Sequence, residues 1–160
     1  PHVIQYRRGL LSEPEREFYI SGDAFVKDWI IKVRNDVPDA PVLVTAGGLL
    51  HYFEENKVIS LLRMIGQSGN MEVVFDTVNK KGMAMMQKKY MKQVGHADAQ
   101  MFFYVDAAKE LAAKIRGNVK VIAEEPYYRY IPKNGLKLST KVSMAVSDQF
   151  KMVKMIHLKL

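Results

Sequence analysis

The chain has 160 residues, 48% of them apolar and 26% charged, and carries a net charge of +7. That length and balance predict one globular domain spanning 1–160 and argue against a disordered chain. No stretch nears the roughly 20 apolar residues of a membrane helix, and with no cysteine disulfides, thiolate chemistry and cysteine-held zinc are excluded.

Pro1 to Arg8 lack the basic-then-apolar order of a signal peptide, so a cytoplasmic address and no membrane contact are expected. The charge is uneven. Residues 1–80 hold 9 Lys/Arg against 11 Asp/Glu, a net of −2, and residues 81–160 hold 15 against 6, a net of +9. The basic residues are dispersed (Lys109, Lys114, Lys120, Lys133, Lys137, Lys141), as on a solvated face. Only Lys80-Lys81 and Lys88-Lys89-Lys92 cluster. Without a recognisable nucleic-acid-binding motif, nucleic acid is not the expected partner.

Glu17 to Ser21 is short, aromatic and β-branched and stops at Gly22-Asp23, which predicts a strand and a turn. Ala24 to Arg34 follows as a helix, with Phe25, Val26, Trp29, Ile30 and Val33 at helical spacing. Val42 to Ala46, ending at Gly47-Gly48, is a continuous apolar run suited to a strand buried on both faces. In Glu54 to Ile65, Val58, Leu61, Leu62 and Ile65 fall at i, i+3, i+4 and i+7, with acidic residues in the first turn where the helix dipole favours them. Met71 to Asp76 is the next strand and Lys80 to Gln93 the next helix. Asp106 is placed to cap a helix running to Arg116, with Gly117 as its stop. Val119 to Ala123 reads as a strand, Ser139 to Phe150 as a helix, and Lys151 to Leu160 as an alternating strand in which His157 is structural. This alternation predicts an α/β sandwich on a mostly parallel sheet.

Such sheets take ligands at the carboxyl ends of their strands, here Gly22-Asp23, Gly47-Gly48 and Asp76. Asp23 can cap the Ala24 helix or accept from an amino group of a bound nucleotide, and different oxygens can serve each role. Gly47-Gly48 allows a tight turn or a close backbone approach to a ligand. Asp76 opens a loop or faces the same crevice. The methionines from Met83 to Met91 suit a core or an adaptable pocket. Phe102-Phe103-Tyr104 and Tyr127-Tyr128-Arg129-Tyr130 suit packing or stacking on a planar ligand. No phosphate-cradling glycine loop, zinc-protease pair or nucleophile elbow occurs, and His2, His51, His96 and His157 are scattered, with no metal site expected.

Four segments together resemble the leucine carboxyl methyltransferase superfamily, with bacterial members similar to the tetracenomycin polyketide O-methyltransferase. Pro1 to Arg7 looks like the segment after that family's second strand. Ile20 to Ile30 resembles its G-D-x-x-x-x-x-W-I element. Pro41 to Glu55 resembles P-V-L-x-x-A-E-G-x-L-x-Y-x-x-E, and Val74-Phe75-Asp76 its next strand. The resemblance covers about the first half of the chain.

It implies a Rossmann-like, S-adenosylmethionine-dependent methyltransferase sheet of order 3-2-1-4-5-7-6, of which this chain is the C-terminal portion, lacking the first two strands. It implies an O-methyltransferase or carboxyl methyltransferase acting on a small, polyketide-like molecule. It implies that Gly22, Asp23 and Ala24 meet the adenine and that Gly47 and Gly48 lie beside the methionine portion of the cofactor. Gly47 stands where the family has a glutamate. Methyl transfer needs the acceptor held in line more than a special side chain. Where a base is needed, His51, Tyr52 and His96 are the candidates. Strand edges left without neighbours predict a homo-oligomer or a complementing N-terminal fragment. A non-catalytic subunit is the alternative, favoured by Gly47.

Overall fold

The computed structural model describes residues 2–90 and 100–160. The chain forms two compact units, residues 1–40 and residues 41–160.

The first unit holds α1 (His2–Leu10) and α2 (Asp28–Asp36). The strand expected at Glu17 to Ser21 is not formed. A strand needs a ladder partner for its backbone groups, and no strand is formed among the described residues of this unit. Side chains hold the segment instead. Arg8 Nη2 donates to the Tyr19 carbonyl at 3.3 Å, and the Arg7 guanidinium stands 5.0 Å from the Tyr19 ring centre. The helix expected from Ala24 starts later, at Asp28, behind a turn. The Trp29 indole pins that turn through a 3.0 Å bond to the Ala24 carbonyl. Arg34 Nη1 closes the far end of α2 on the Ala40 carbonyl at 2.6 Å.

The second unit is a four-stranded sheet of β1 (Val42–Ala46), β2 (Met71–Val78), β3 (Lys120–Pro126) and β4 (Val153–Lys159), in the order β1-β2-β4-β3. β1 and β2 are parallel. β4 runs antiparallel to both of its neighbours, so the sheet is mixed rather than mostly parallel. Numbered as in the sheet expected from the resemblance, this order is 4-5-7-6.

Three helices flank the strands: α3 (Glu55–Gly66), α4 (Lys80–Met85) and α5 (Ala108–Ile115). A fourth, α6 (Leu138–Gln149), precedes β4. The helix expected over Lys80 to Gln93 changes to a wider π turn at Met86–Tyr90, and its remainder, with Met91, lies outside the described residues. Within α4, Met83 is buried in a cluster with Val78 and Met101, whereas Met85 is exposed.

Alternation along β2 buries Met71, Val73, Phe75 and Thr77 on one face. The register sets Val73 beside Leu158 and Phe75 beside Ile156 on β4. From α3 come Val58, Leu61, Leu62 and Ile65, and from α5 Ala108, Leu111 and Ile115, all buried. Arg63 of α3 caps α5, donating to the carbonyls of Ile115 and Lys114 at 2.8 and 2.7 Å.

β1 is not buried on both faces. Leu43 is 57% exposed, and among the described residues the strand pairs only with β2.

Asp106 does not cap α5. Its carboxylate accepts from the Lys80 N–H at 2.9 Å, at the start of α4, and the Ala108 N–H of α5 is met by Glu124 of β3 at 3.1 Å. Glu124 also holds the buried Lys154 of β4 at 2.7 Å, and the Lys154 ammonium donates to the Asp106 carbonyl at 2.7 Å. His157 is structural, bonded across the strands to Glu72 at 2.7 Å.

Candidate functional site

The candidate residues fall into two groups, each within its own unit. In the first unit Gly22, Asp23 and Ala24 form the turn ahead of α2. Asp23 Oδ1 accepts from the Phe25 N–H at 2.9 Å, and the Asp23 carbonyl accepts from the Val26 N–H at 3.1 Å. Asp23 therefore caps this turn rather than a helix beginning at Ala24. A side chain of this type closes such a turn by satisfying an N–H that has no helical partner.

In the second unit the group gathers at the carboxyl end of β1. The parallel register sets Ala46 beside Phe75, which brings the next residue, Asp76, level with the Gly47-Gly48 turn. Asp76 is inside β2, two residues short of its end, and not at a strand exit. Its carboxylate reaches sideways and accepts from the Gly48 N–H at 2.6 Å. Gly48 has φ +63°, a left-handed conformation that favours glycine. Gly47 has no such constraint, and a Cβ built there meets nothing within 4 Å.

A short 3₁₀ turn, Leu50–Tyr52, follows. It buries His51 to 7% exposure and leaves Tyr52 at 41%, the two rings tilted together with centres 4.5 Å apart. The His51 carbonyl accepts from the N–H groups of Phe102 and Phe103 at 2.8 and 3.3 Å. The loop that follows them returns to the sheet where Val105 donates to the Val78 carbonyl. Burial pushes the His51 imidazole below its ordinary pKa of 6.5, and the Asp76 carboxylate partly opposes that shift. Burial thus disfavours the charged form of the ring. His96 lies outside the described residues.

Phe103 is fully buried against Phe75, while Phe102 is 41% exposed. Phe102 and Tyr104, with Asp106, Glu110, Glu55 and Lys114, line a cleft of about 290 Å³. Phe102 thus borders this cleft and anchors the turn that carries His51.

The Gly48–Asp76 bond and the Phe102/Phe103 clasp on His51 were not visible in the sequence. The available signal was register. Once β1 and β2 are paired in parallel from Val42 and Met71, Asp76 must face the Gly47-Gly48 turn.

No known family profile matches the chain. It is similar to the S-adenosyl-L-methionine-dependent methyltransferase dpfgK of Gibberella zeae, 32% identical over 128 residues that take in 72% of this chain and 41% of the relative. The chain therefore spans less than half of that protein's length. Among solved structures it resembles a DUF574 family protein from Streptomyces avermitilis, with a TM-score of 0.64 at 12% identity, over 99% of this chain and 62% of that one. It also resembles a SAM-dependent methyltransferase from Anabaena variabilis, with a TM-score of 0.53 at 10% identity, over 97% of this chain and 63% of that one. The fold is the Rossmann-like α/β sandwich of such methyltransferase structures, here with four strands among the described residues.

Proposed function

We propose that residues 1–160 form the C-terminal portion of one S-adenosylmethionine-dependent methyltransferase domain that methylates an oxygen of a small, polyketide-like molecule. The observation that carries this reading is the 32% identity to the fungal methyltransferase. The strand order 4-5-7-6 and the open Gly47-Gly48 turn at the carboxyl end of β1 support it.

In this reading S-adenosylmethionine, when bound, supplies an electrophilic methyl group. Within the second unit the bare backbone of Gly47 and Gly48 lies along its methionine portion, and the resemblance assigns Gly22, Asp23 and Ala24 of the first unit to its adenine. Gly47 brings no side chain that obstructs such an approach. His51 and Tyr52 stand at the acceptor end, with His96 as the third candidate. The edge of β1 left unpaired among the described residues takes a strand from an N-terminal fragment or a second copy of the chain. The absence of cysteine fits a cytoplasmic address.

Titration calorimetry tests the reading. S-adenosylmethionine should bind the 160-residue chain weakly, and addition of the N-terminal segment of the fungal relative should tighten it. Micromolar binding by the chain alone would remove the need for a complement. No binding in either case would overturn the methyltransferase reading in favour of a non-catalytic subunit, the alternative that the missing carboxylate at Gly47 supports.

A further inference from the structure

α6 is turned with its polar side inward. A surface helix ordinarily buries an apolar stripe and shows its charges to water. Here Leu138, Val142, Val146 and, just past the end, Phe150 fall at i, i+4, i+8 and i+12, along one ridge of the helix. They are 77, 53, 46 and 61% exposed. The inward side holds the buried Met144 and the half-buried Lys141, Ser147 and Asp148. Asp148 is used there, accepting from the Tyr128 N–H at 3.1 Å. Lys141 and Asp148 are the only charges of α6, so its exposed residues carry none.

Free charge lies at the two ends instead. Lys133 and Lys137 precede α6 and Lys151 follows it, and no acidic residue stands between Glu125 and Asp148. None of these three lysines is in an ion pair among the described residues. Lys137 is at the N-cap, where the helix dipole disfavours a cation, and the first turn has no acid to offset it. Helix stability therefore does not account for this placement. An uncharged apolar ridge with cations at both ends matches an anionic bilayer, since apolar side chains enter the acyl boundary while lysines reach the headgroups. It matches a second copy of the chain poorly. Two copies packed antiparallel on the ridge would set Lys137 against the other copy's Lys151 at both ends, and parallel packing would set each lysine against itself.

We propose that α6 and its flanking lysines dock this chain on an anionic lipid surface. The helix lies in the plane of the headgroups, with Leu138, Val142, Val146 and Phe150 toward the acyl chains. No helix among the described residues is long and apolar enough to cross a membrane. The expectation of no membrane contact came from the lack of a signal peptide and of a spanning stretch, neither of which bears on a helix lying on the surface. The inference concerns α6 and does not rest on the methyltransferase reading.

Vesicles of phosphatidylcholine, with or without phosphatidylserine, are sedimented with the 160-residue chain. The chain should pellet with the phosphatidylserine vesicles, stay in solution with phosphatidylcholine alone, and be released as salt is raised. A chain of net charge +7 also adsorbs to anionic lipid through charge alone, and three double variants separate that from docking. Val142→Gln with Val146→Gln keeps the charge and should weaken binding about ten-fold or more. Lys137→Gln with Lys151→Gln should weaken it about ten-fold. Lys109→Gln with Lys120→Gln removes the same charge elsewhere on the second unit and should weaken it by under about two-fold, because the attraction fades within a Debye length. All six positions are exposed, and urea denaturation checks that each variant is folded. Unaltered binding by the valine variant, or equal losses from the two lysine pairs, would overturn the proposal in favour of diffuse adsorption. A dimer in the absence of lipid that the valine variant dissociates would overturn it and give the ridge to a second copy. Loss of vesicle binding when the N-terminal segment of the fungal relative is added would overturn it and give the ridge to that segment.

Discussion

Gly47 and Gly48 are adjacent, yet they answer to different constraints. A Cβ at Gly48 would sit on a backbone with φ +63°, where an L-residue loses roughly 1–2 kcal/mol. A Cβ at Gly47 meets nothing. Gly48→Ala should therefore destabilise the chain by about 1–2 kcal/mol in urea denaturation, and Gly47→Ala by under about 0.5 kcal/mol. Equal effects would mean that the turn is not held as described. His51 predicts a pH dependence. Its folded pKa lies below 6.5, so below that value the unfolded chain takes up a proton that the folded chain resists. Stability is then full above about pH 6.5 and falls as the pH drops toward the folded value. His51→Asn should flatten that part of the stability profile. Sequence alone named His51 with Tyr52 and His96 as base candidates but could not single it out, because its burial and the Phe102 and Phe103 N–H groups that meet its carbonyl depend on residues far along the chain.

Between elements, the decisive contact is the ion pair of Glu124 on β3 with Lys154 on β4. It was legible in part, since Lys154 is in phase with the inward Ile156 and Leu158, an apolar position for a charged residue. Its partners were not legible, because they depend on β4 pairing with β3. Burial raises the Glu124 pKa, but the Lys154 ammonium, the Ala108 N–H and the charge of Lys151 outweigh it and hold the carboxyl below its usual 4.5. A depressed carboxylate stabilises above its unfolded pKa, and that contribution is lost as the pH falls through the folded value. Glu124→Gln should remove this slope below pH 4.5. At neutral pH, Lys154→Met leaves the carboxylate without its cation and should cost about 3 kcal/mol in urea denaturation, as breaking a buried pair does. Lys154→Met with Glu124→Leu should recover part of that loss. Strictly additive losses would show that the two side chains are not coupled.

For the whole molecule, periodicity located β1, β2, β3, β4 and α3 to within a few residues, because each carries an unambiguous apolar pattern. It failed at Glu17 to Ser21, where composition is strand-like but the unit offers no partner. It also misread the sheet as mostly parallel, since alternation in Lys151 to Leu160 reveals a strand and not its direction. Among the described residues, 41–160 carry nearly all of the buried apolar side chains, Ile30 being the exception. A fragment of residues 41–160 should therefore unfold cooperatively in a thermal melt. A broad, non-cooperative melt would mean that this core depends on residues 1–40.

The position of β4 has a consequence for biosynthesis. Of the four strands among the described residues it is the last to be synthesised, yet it lies between β2 and β3. Until residues 153–159 emerge from the exit tunnel, β2 and β3 have no strand to join them, and each presents an open edge. Chaperones would meet the nascent chain in this state, and ribosome-stalled chains ending before Val153 should bind them and be readily digested by protease. Chains extended enough to release Lys159 should become resistant in a single step, because the insertion of one strand closes two ladders at once.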